Sequence, residues 1–229
     1  MMKQLTLDIR ADAPPTLDNF VAGGNAELVA SLSLLATDRR ALPAPHLYLW
    51  GESGNGRSHL LQATTAQAEA GGRPAHYLNA ASIQDTLPET EAALLAIDDA
   101  DQLSPAAQIA VFNAFNRARL NGQSLLLAGP VAPLGLSLRE DLRTRIGQCL
   151  IYEVQALDDD SRAAILATLA ERRGLRLADE VRDFLLRHGR RDLPSLLAAF
   201  DALDAASLEQ KRPITLPLLR EMMQRGLAI

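Results

Sequence analysis

The chain has 229 residues, enough for one large domain or two small ones with a substantial core. Hydrophobic residues make up 48% and charged residues 22%, with 14 Gly and 12 Pro spread along the sequence, which excludes a disordered, collagen-like or low-complexity chain. A formal net charge of −5 weighs against a dominating electrostatic grip on nucleic acid, although a local basic patch stays open, and Cys149 as the lone cysteine excludes a disulfide framework within the chain. No Cys/His pair has zinc-ligand spacing. The N-terminal MMKQLTLDIRADAPP lacks an apolar run of signal-peptide length, and no later stretch approaches the ~20 apolar residues that span a bilayer. A reducing, cytoplasmic setting is expected, with no membrane partner.

In chain order, Pro14-Pro15 separates a head, residues 1–13, from the rest of the chain, because consecutive prolines favour extended backbone. A helix is predicted from Asn25 to Thr37, then a short apolar strand from His46 to Trp50, a glycine-rich turn, and a helix from Arg57 to Ala70 closed by Gly71-Gly72. Further strands are predicted at Ala75 to Asn79, Ala93 to Ile97, Ser124 to Ala128 and Cys149 to Val154. Short apolar runs alternating with helices imply parallel strands covered on both faces, an α/β architecture. After Leu157 the pattern changes to four helices: Asp160 to Arg173, Ala178 to His188, Leu193 to Gln210 and Leu216 to Gly226. Gly174 and Gly189 fall at expected helix C-caps, and Asp158 to Ser161 offer N-cap oxygens. Three regions result: the head at 1–13, an α/β domain over 14–157 and an all-helical domain over 158–229.

Four stretches carry chemistry. Gly51-Glu52-Ser53-Gly54-Asn55-Gly56-Arg57-Ser58 has the spacing of a phosphate-binding P-loop, with Arg57 where lysine is usual. Its glycines let backbone N–H groups turn toward phosphate oxygens, the helix after it directs its positive end at them, and the Ser58 hydroxyl suits Mg²⁺. Arg57 keeps the charge but carries it on a broad planar fork. The plainer alternative is a glycine-rich turn before a helix. Downstream, an apolar strand ends in Asp98-Asp99, a Walker B pattern in which Asp98 would hold Mg²⁺ through water and Asp99 would orient an attacking water; an acidic turn with Asp98, Asp99 and Asp101 as caps is the alternative. Leu138 to Ile146 holds Arg139, Arg143 and Arg145 just before the last strand, either a solvated face or the source of an arginine that reaches a neighbouring subunit's γ-phosphate. In the head, Gln4, Leu5, Leu7 and Ile9 alternate as in an edge strand or as in a peptide that docks into a partner's apolar groove.

Taken in order, these stretches resemble the DnaA-related family of AAA+ proteins, and within it the Hda-type regulators. Thr16-Leu17-Asp18-Asn19-Phe20-Val21-Ala22-Gly23 is similar to the entry segment that wraps the nucleotide base in that family, and after it come the P-loop, Ile97-Asp98-Asp99 and Leu142-Arg143-Thr144-Arg145. The resemblance runs over nearly the whole chain. The end at Ile229 without a further DNA-binding domain, Arg57 with Ser58-His59-Leu60-Leu61, and the Gln4 to Ile9 head all point to the Hda type.

The resemblance implies an AAA+ α/β domain with a helical lid after it. Its function would be negative regulation of replication initiation: bound to the DNA-loaded sliding clamp, the protein stimulates hydrolysis of ATP on the initiator DnaA. Gln4, Leu5, Leu7 and Ile9 would hold the clamp, Gly51 to Ser58 and Asp98 would hold a nucleotide, and Arg145 would serve in trans. ADP is the expected nucleotide, with ATP and Mg²⁺ also open, and little direct DNA binding is implied; a homo-oligomer stays open. Pro130 stands at the sensor 1 strand where the family usually has a polar residue, and Arg190-Arg191-Asp192-Leu193-Pro194 occupies the sensor 2 region. Both departures, with Arg57, weigh against efficient hydrolysis by the chain itself. Two other classes stay open: an autonomous AAA+ ATPase or nucleotide switch, and an initiator-like DNA-binding paralogue.

Overall fold

Alternation of side chains along short apolar strands determines the layering of the first part of the molecule. The computed structural model describes residues 14–37, 42, 45–172, 174–175, 177–189 and 193–225. Five strands, β1 (Leu47–Trp50), β2 (Ala75–Asn79), β3 (Leu94–Asp98), β4 (Ser124–Gly129) and β5 (Leu150–Glu153), form one sheet in the order β2-β3-β4-β1-β5. Every pairing is parallel. Successive residues of a strand point to opposite faces, so Leu47, Leu49, Leu94, Ala96, Leu126 and Ala128 enter one core while Tyr48, Leu95, Ile97, Leu125 and Leu127 enter the other.

The helices supply the matching faces. Helices α1 (Ala26–Thr37) and α2 (Arg57–Ala70) bury Leu28, Leu32, Leu35, Leu60 and Leu61 against the first face. Helices α3 (Pro105–Asn121) and α4 (Glu140–Ile146) bury Val111, Ala114, Phe115, Leu142 and Ile146 against the second. Local chemistry sets the ends of α3: the Ser104 hydroxyl accepts from Ala107 N–H at 3.2 Å, Pro105 occupies the first turn, and Gly122 turns the chain left-handed at φ 64°. The result is a three-layer α/β/α unit, and its parallel sheet gathers the C-terminal ends of all strands along one edge.

Contacts divide the protein into this unit, Pro14–Gln155, and a helical unit that starts at Ala156. The latter contains α5 (Asp159–Arg172), α6 (Asp179–His188), α7 (Leu193–Gln210) and α8 (Leu216–Gln224). Asp158 caps α5 by accepting from Ser161 N–H at 2.7 Å, and Gly174 lies just past it in the left-handed region at φ 66°. Its core is Leu166, Val181, Leu185, Phe200, Leu203, Leu218 and Leu219. Arg162 is fully buried there, with Nη1 3.0 Å from Asp159 Oδ1 and 3.4 Å from the Leu186 carbonyl. Burial of a charge is tolerated because those acceptors replace water. Among the described residues, no helix is long and apolar enough to cross a membrane.

The predicted ranges of α2 and α7 coincide with the observed ones, and the third strand lies one residue later than predicted, with Asp98 as its last residue. Residues 1–13, and with them Gln4, Leu5, Leu7 and Ile9, lie outside the described residues, as do Arg190, Arg191 and Asp192.

Candidate nucleotide site and arginine arm

The P-loop leaves β1 at the shared edge and turns into α2. Gly54 and Gly56 take positive φ angles of 89° and 92°, which favour glycine, and Gly56 is the N-cap of α2. The loop is tied to the end of β5 by Asn55 Nδ2, which donates to the Val154 carbonyl at 3.0 Å. Glu52, Ser53, Gly54 and Ser58 are exposed around the helix N-terminus, and no acidic residue occupies its first turn. A Cβ on Gly56 would lie 2.7 Å from Phe20 Cε2, so the bare glycine is also the seat of the entry segment's aromatic ring. His59 completes that clip: its Nε2 lies 3.0 Å from the Thr16 carbonyl oxygen and its ring 5.7 Å from that of Phe20.

Arg57 begins α2, and its Nη1 is buried without a hydrogen-bond partner among the described residues. Buried guanidinium nitrogens are normally satisfied. An orphaned donor on the residue next to the Gly56 cradle fits an anionic phosphate. Burial pushes the Tyr48 hydroxyl well above its ordinary range, against the pull of the Arg57 guanidinium. That hydroxyl donates to the Val131 carbonyl at 2.6 Å and fills the space that a Cβ on Gly129 would enter.

The acidic pair ends β3 at the same edge. With β4 between β3 and β1, it stands two strand spacings from the P-loop strand, about 10 Å. Asp98 is 2% exposed, accepting from the Tyr77 hydroxyl through Oδ2 at 2.7 Å and from Asp99 N–H through Oδ1 at 3.0 Å. Asp99 adopts the left-handed region at φ 53° and ψ 48°, a conformation uncommon for residues other than glycine and concentrated at functional sites. Asn79 Nδ2 lies 3.4 Å from its Oδ2. No cluster of three or more His, Cys, Asp or Glu side chains for a metal cage occurs among the described residues. Ser58 and Asp98 match Mg²⁺ instead, which uses one or two protein oxygens with water and substrate phosphates. Pro130 is exposed just beyond β4 on this edge.

Arg145 is placed differently. Its helix α4 packs on the sheet face opposite α2. Arg145 is exposed, donates from Nη2 to Asn116 Oδ1 at 2.8 Å, and has its guanidinium carbon 5.8 Å from the Phe112 ring centroid. No carboxylate among the described residues pairs with it. Arg139, by contrast, is committed to Asp141 at 3.2 and 2.7 Å, and that guanidinium holds the Asp141 carboxyl below its usual range. Burial pushes the thiol of nearby Cys149 up to about 12, so it stays protonated at neutral pH.

The sequence motifs do not include Tyr77, Asn79, Phe112 or Asn116. Tyr77 and Asn79 alternate toward one sheet face in a half-buried strand, and Phe112 and Asn116 stand four apart on α3; the periodicity is legible in the sequence, the partners are not.

This arrangement of a 2-3-4-1-5 parallel sheet, P-loop, acidic strand end and trailing helical unit defines an AAA+ module. Its fold is similar to domain III of the Thermotoga maritima replication initiation protein DnaA, with TM-score 0.74 and 19% identity over 96% of this chain and 99% of that one. AMPPCP-bound DnaA from Aquifex aeolicus is similar with TM-score 0.71 and 23% identity, over 88% of this chain and 68% of that one. Residues 159–223 match the family described as Hda, lid domain, and an uncharacterized Haemophilus influenzae protein is 32% identical over 234 aligned residues, 97% of this chain and 99% of that protein. The chain belongs to the Hda-like family of DnaA-related AAA+ proteins.

Proposed function

We propose that this regulatory AAA+ protein is a negative regulator of replication initiation, which binds the DNA-loaded sliding clamp and completes the ATPase site of the initiator DnaA. The observation that carries the reading is Arg145: exposed, without a carboxylate partner among the described residues, and steadied by Asn116 and Phe112 on the face opposite the chain's own P-loop helix. A cation held ready for an external anion suits charge that develops on a transferring phosphoryl group.

The chain's own site would hold ADP, or ATP, as a structural ligand. Gly51, Glu52, Ser53, Gly54, Asn55 and Gly56 would cradle phosphates with backbone N–H groups, Arg57 would neutralise their charge, and Ser58 and Asp98 would bind Mg²⁺. When bound, the metal would screen the phosphate oxygens. Asp99 would orient water, and the intact acidic pair favours a second reading, an autonomous ATPase; turnover of ATP by the purified chain alone would support it. Regions 14–157 and 158–229 would act as nucleotide-binding domain and lid, and 1–13 as the clamp-binding head. The protein is expected to work in the cytoplasm.

The test is single-turnover hydrolysis of ATP preloaded on DnaA, with clamp-loaded DNA and each variant. Arg145→Ala should lower stimulated hydrolysis by about a thousandfold, with ADP and clamp binding unchanged. Arg143→Ala, on a different side of α4, should retain most stimulation. Full stimulation by Arg145→Ala removes the trans role; equal losses indicate a general basic docking face. Alanine at Gln4 and Leu5 should abolish clamp binding with no change in melting temperature, and a fall of several degrees would make the head a strand of the fold.

A further inference from the structure

Strand β2 contributes no residue to any of the sequence motifs, yet it carries the hydrogen-bond donor closest to the Walker B carboxylate. In the β2–β3 register Tyr77 lies opposite Ala96, and Asn79 opposite Asp98. Tyr77 and Asp98 therefore share a sheet face as diagonal neighbours, within reach of an aromatic side chain. Ala96, opposite Tyr77 in the register, carries only a methyl group, and the Tyr77 hydroxyl reaches Asp98 Oδ2 at 2.7 Å. Gln62, on the helix that starts at the P-loop, lies beside the same hydroxyl.

We propose that Tyr77 is a positioning residue for Asp98, fixing the carboxylate so that its remaining lone pairs face the metal site and setting how strongly Mg²⁺ reinforces nucleotide binding. This rests on the reading of the P-loop as a nucleotide site. An ionised carboxylate only accepts hydrogen bonds, and its two oxygens offer about four acceptor positions. Two are used, one by Tyr77 and one by the backbone N–H of Asp99, and this pins both oxygens. Without Tyr77 the 2% exposed Asp98 would lose its one side-chain donor among the described residues and be free to rotate about its last torsion. Groups that orient metal ligands are typically worth 10–100-fold in metal affinity.

The experiment titrates a fluorescent ADP into the purified full chain in excess Mg²⁺ and again in EDTA, for wild type, Tyr77→Phe, Tyr77→His and Asp98→Asn. Wild type should bind more tightly in Mg²⁺, and Asp98→Asn should lose that gain. Tyr77→Phe should lose about tenfold or more of it, with affinity in EDTA unchanged, while Tyr77→His, which keeps an N–H donor, should recover part. Thermal melts in EDTA verify that each variant is folded. A full Mg²⁺ gain in Tyr77→Phe, or an equal loss with and without Mg²⁺, overturns the proposal. Failure of wild type to bind ADP at all overturns the nucleotide-site reading itself, and the proposal with it.

Discussion

The acidic pair at the end of β3 and the arginine on α4 are built on opposite principles. Asp98 is sunk at a sheet edge with both oxygens tied to named donors. Arg145 stands in solvent, held among the described residues by a hydrogen bond to Asn116 and the face of Phe112. The buried Asp98 carboxylate is satisfied by donors inside the molecule, so its geometry is fixed in advance. An exposed guanidinium carries no such requirement and retains donors for a group outside the chain. The contrast separates a carboxylate tied inside the molecule from a guanidinium left open to solvent, which is the difference that the proposed roles of the two sites would need.

The strongest attack on the first half alone is Gly56→Val. Two costs add at this position: the positive φ of 92°, which a β-branched residue resists, and a Cβ only 2.7 Å from the Phe20 ring. The substitution should abolish ADP binding, measured by calorimetry, and release the entry segment from α2. Unchanged ADP affinity would dissolve the link between the loop and a phosphate. Circular dichroism should still report the sheet and helices, because the core of the three-layer unit lies beneath the loop.

The corresponding attack on the arm is Asn116→Ala. It leaves the Arg145 charge in place and removes the acceptor that aims it. Misplacement of a reacting group is worth up to about a hundredfold in rate, so stimulated DnaA hydrolysis should fall by less than in Arg145→Ala, with the chain's own ADP affinity at the wild-type value. A loss of ADP affinity in Asn116→Ala would show that the two halves are coupled and break the comparison.

Legibility in the sequence divides along the same line. The P-loop and acidic strand end were legible because backbone geometry and strand termini leave local signatures: glycine spacing, an apolar run, two carboxylates. The range of α2 was readable for that reason. Tyr77 was not, because its relation to Asp98 depends on which strands are neighbours and in which register, and β2 and β3 are joined by a long connection. Likewise, nothing local to Gly56 announces Phe20, which lies far upstream. Arg145 was identified by its place in the chain; its anchors on α3 depend on how two helices pack.

The smallest expected effect lies in the helical unit and provides the baseline for both halves. Asp158 accepts the N–H of Ser161 at the start of α5, and hydrogen bonding from the Ser161 side chain and backbone holds its carboxyl below the usual range. A lowered folded pKa means that the ionised form is the one that supports folding. Its contribution is complete above about pH 4, near the unfolded value for Asp, and is lost as the pH falls through the folded value. Asp158→Ala should lower the melting temperature slightly at neutral pH, with the difference from wild type closing as the pH falls below the usual carboxylate range. Asp158→Asn keeps an acceptor at the cap and should lie between the two, without that pH dependence. Because Asp158 belongs to neither the loop nor the arm, both variants should equal wild type in the ADP-binding and DnaA-hydrolysis assays of the proposed function; a difference in either would mean that the capping of α5 reaches the site.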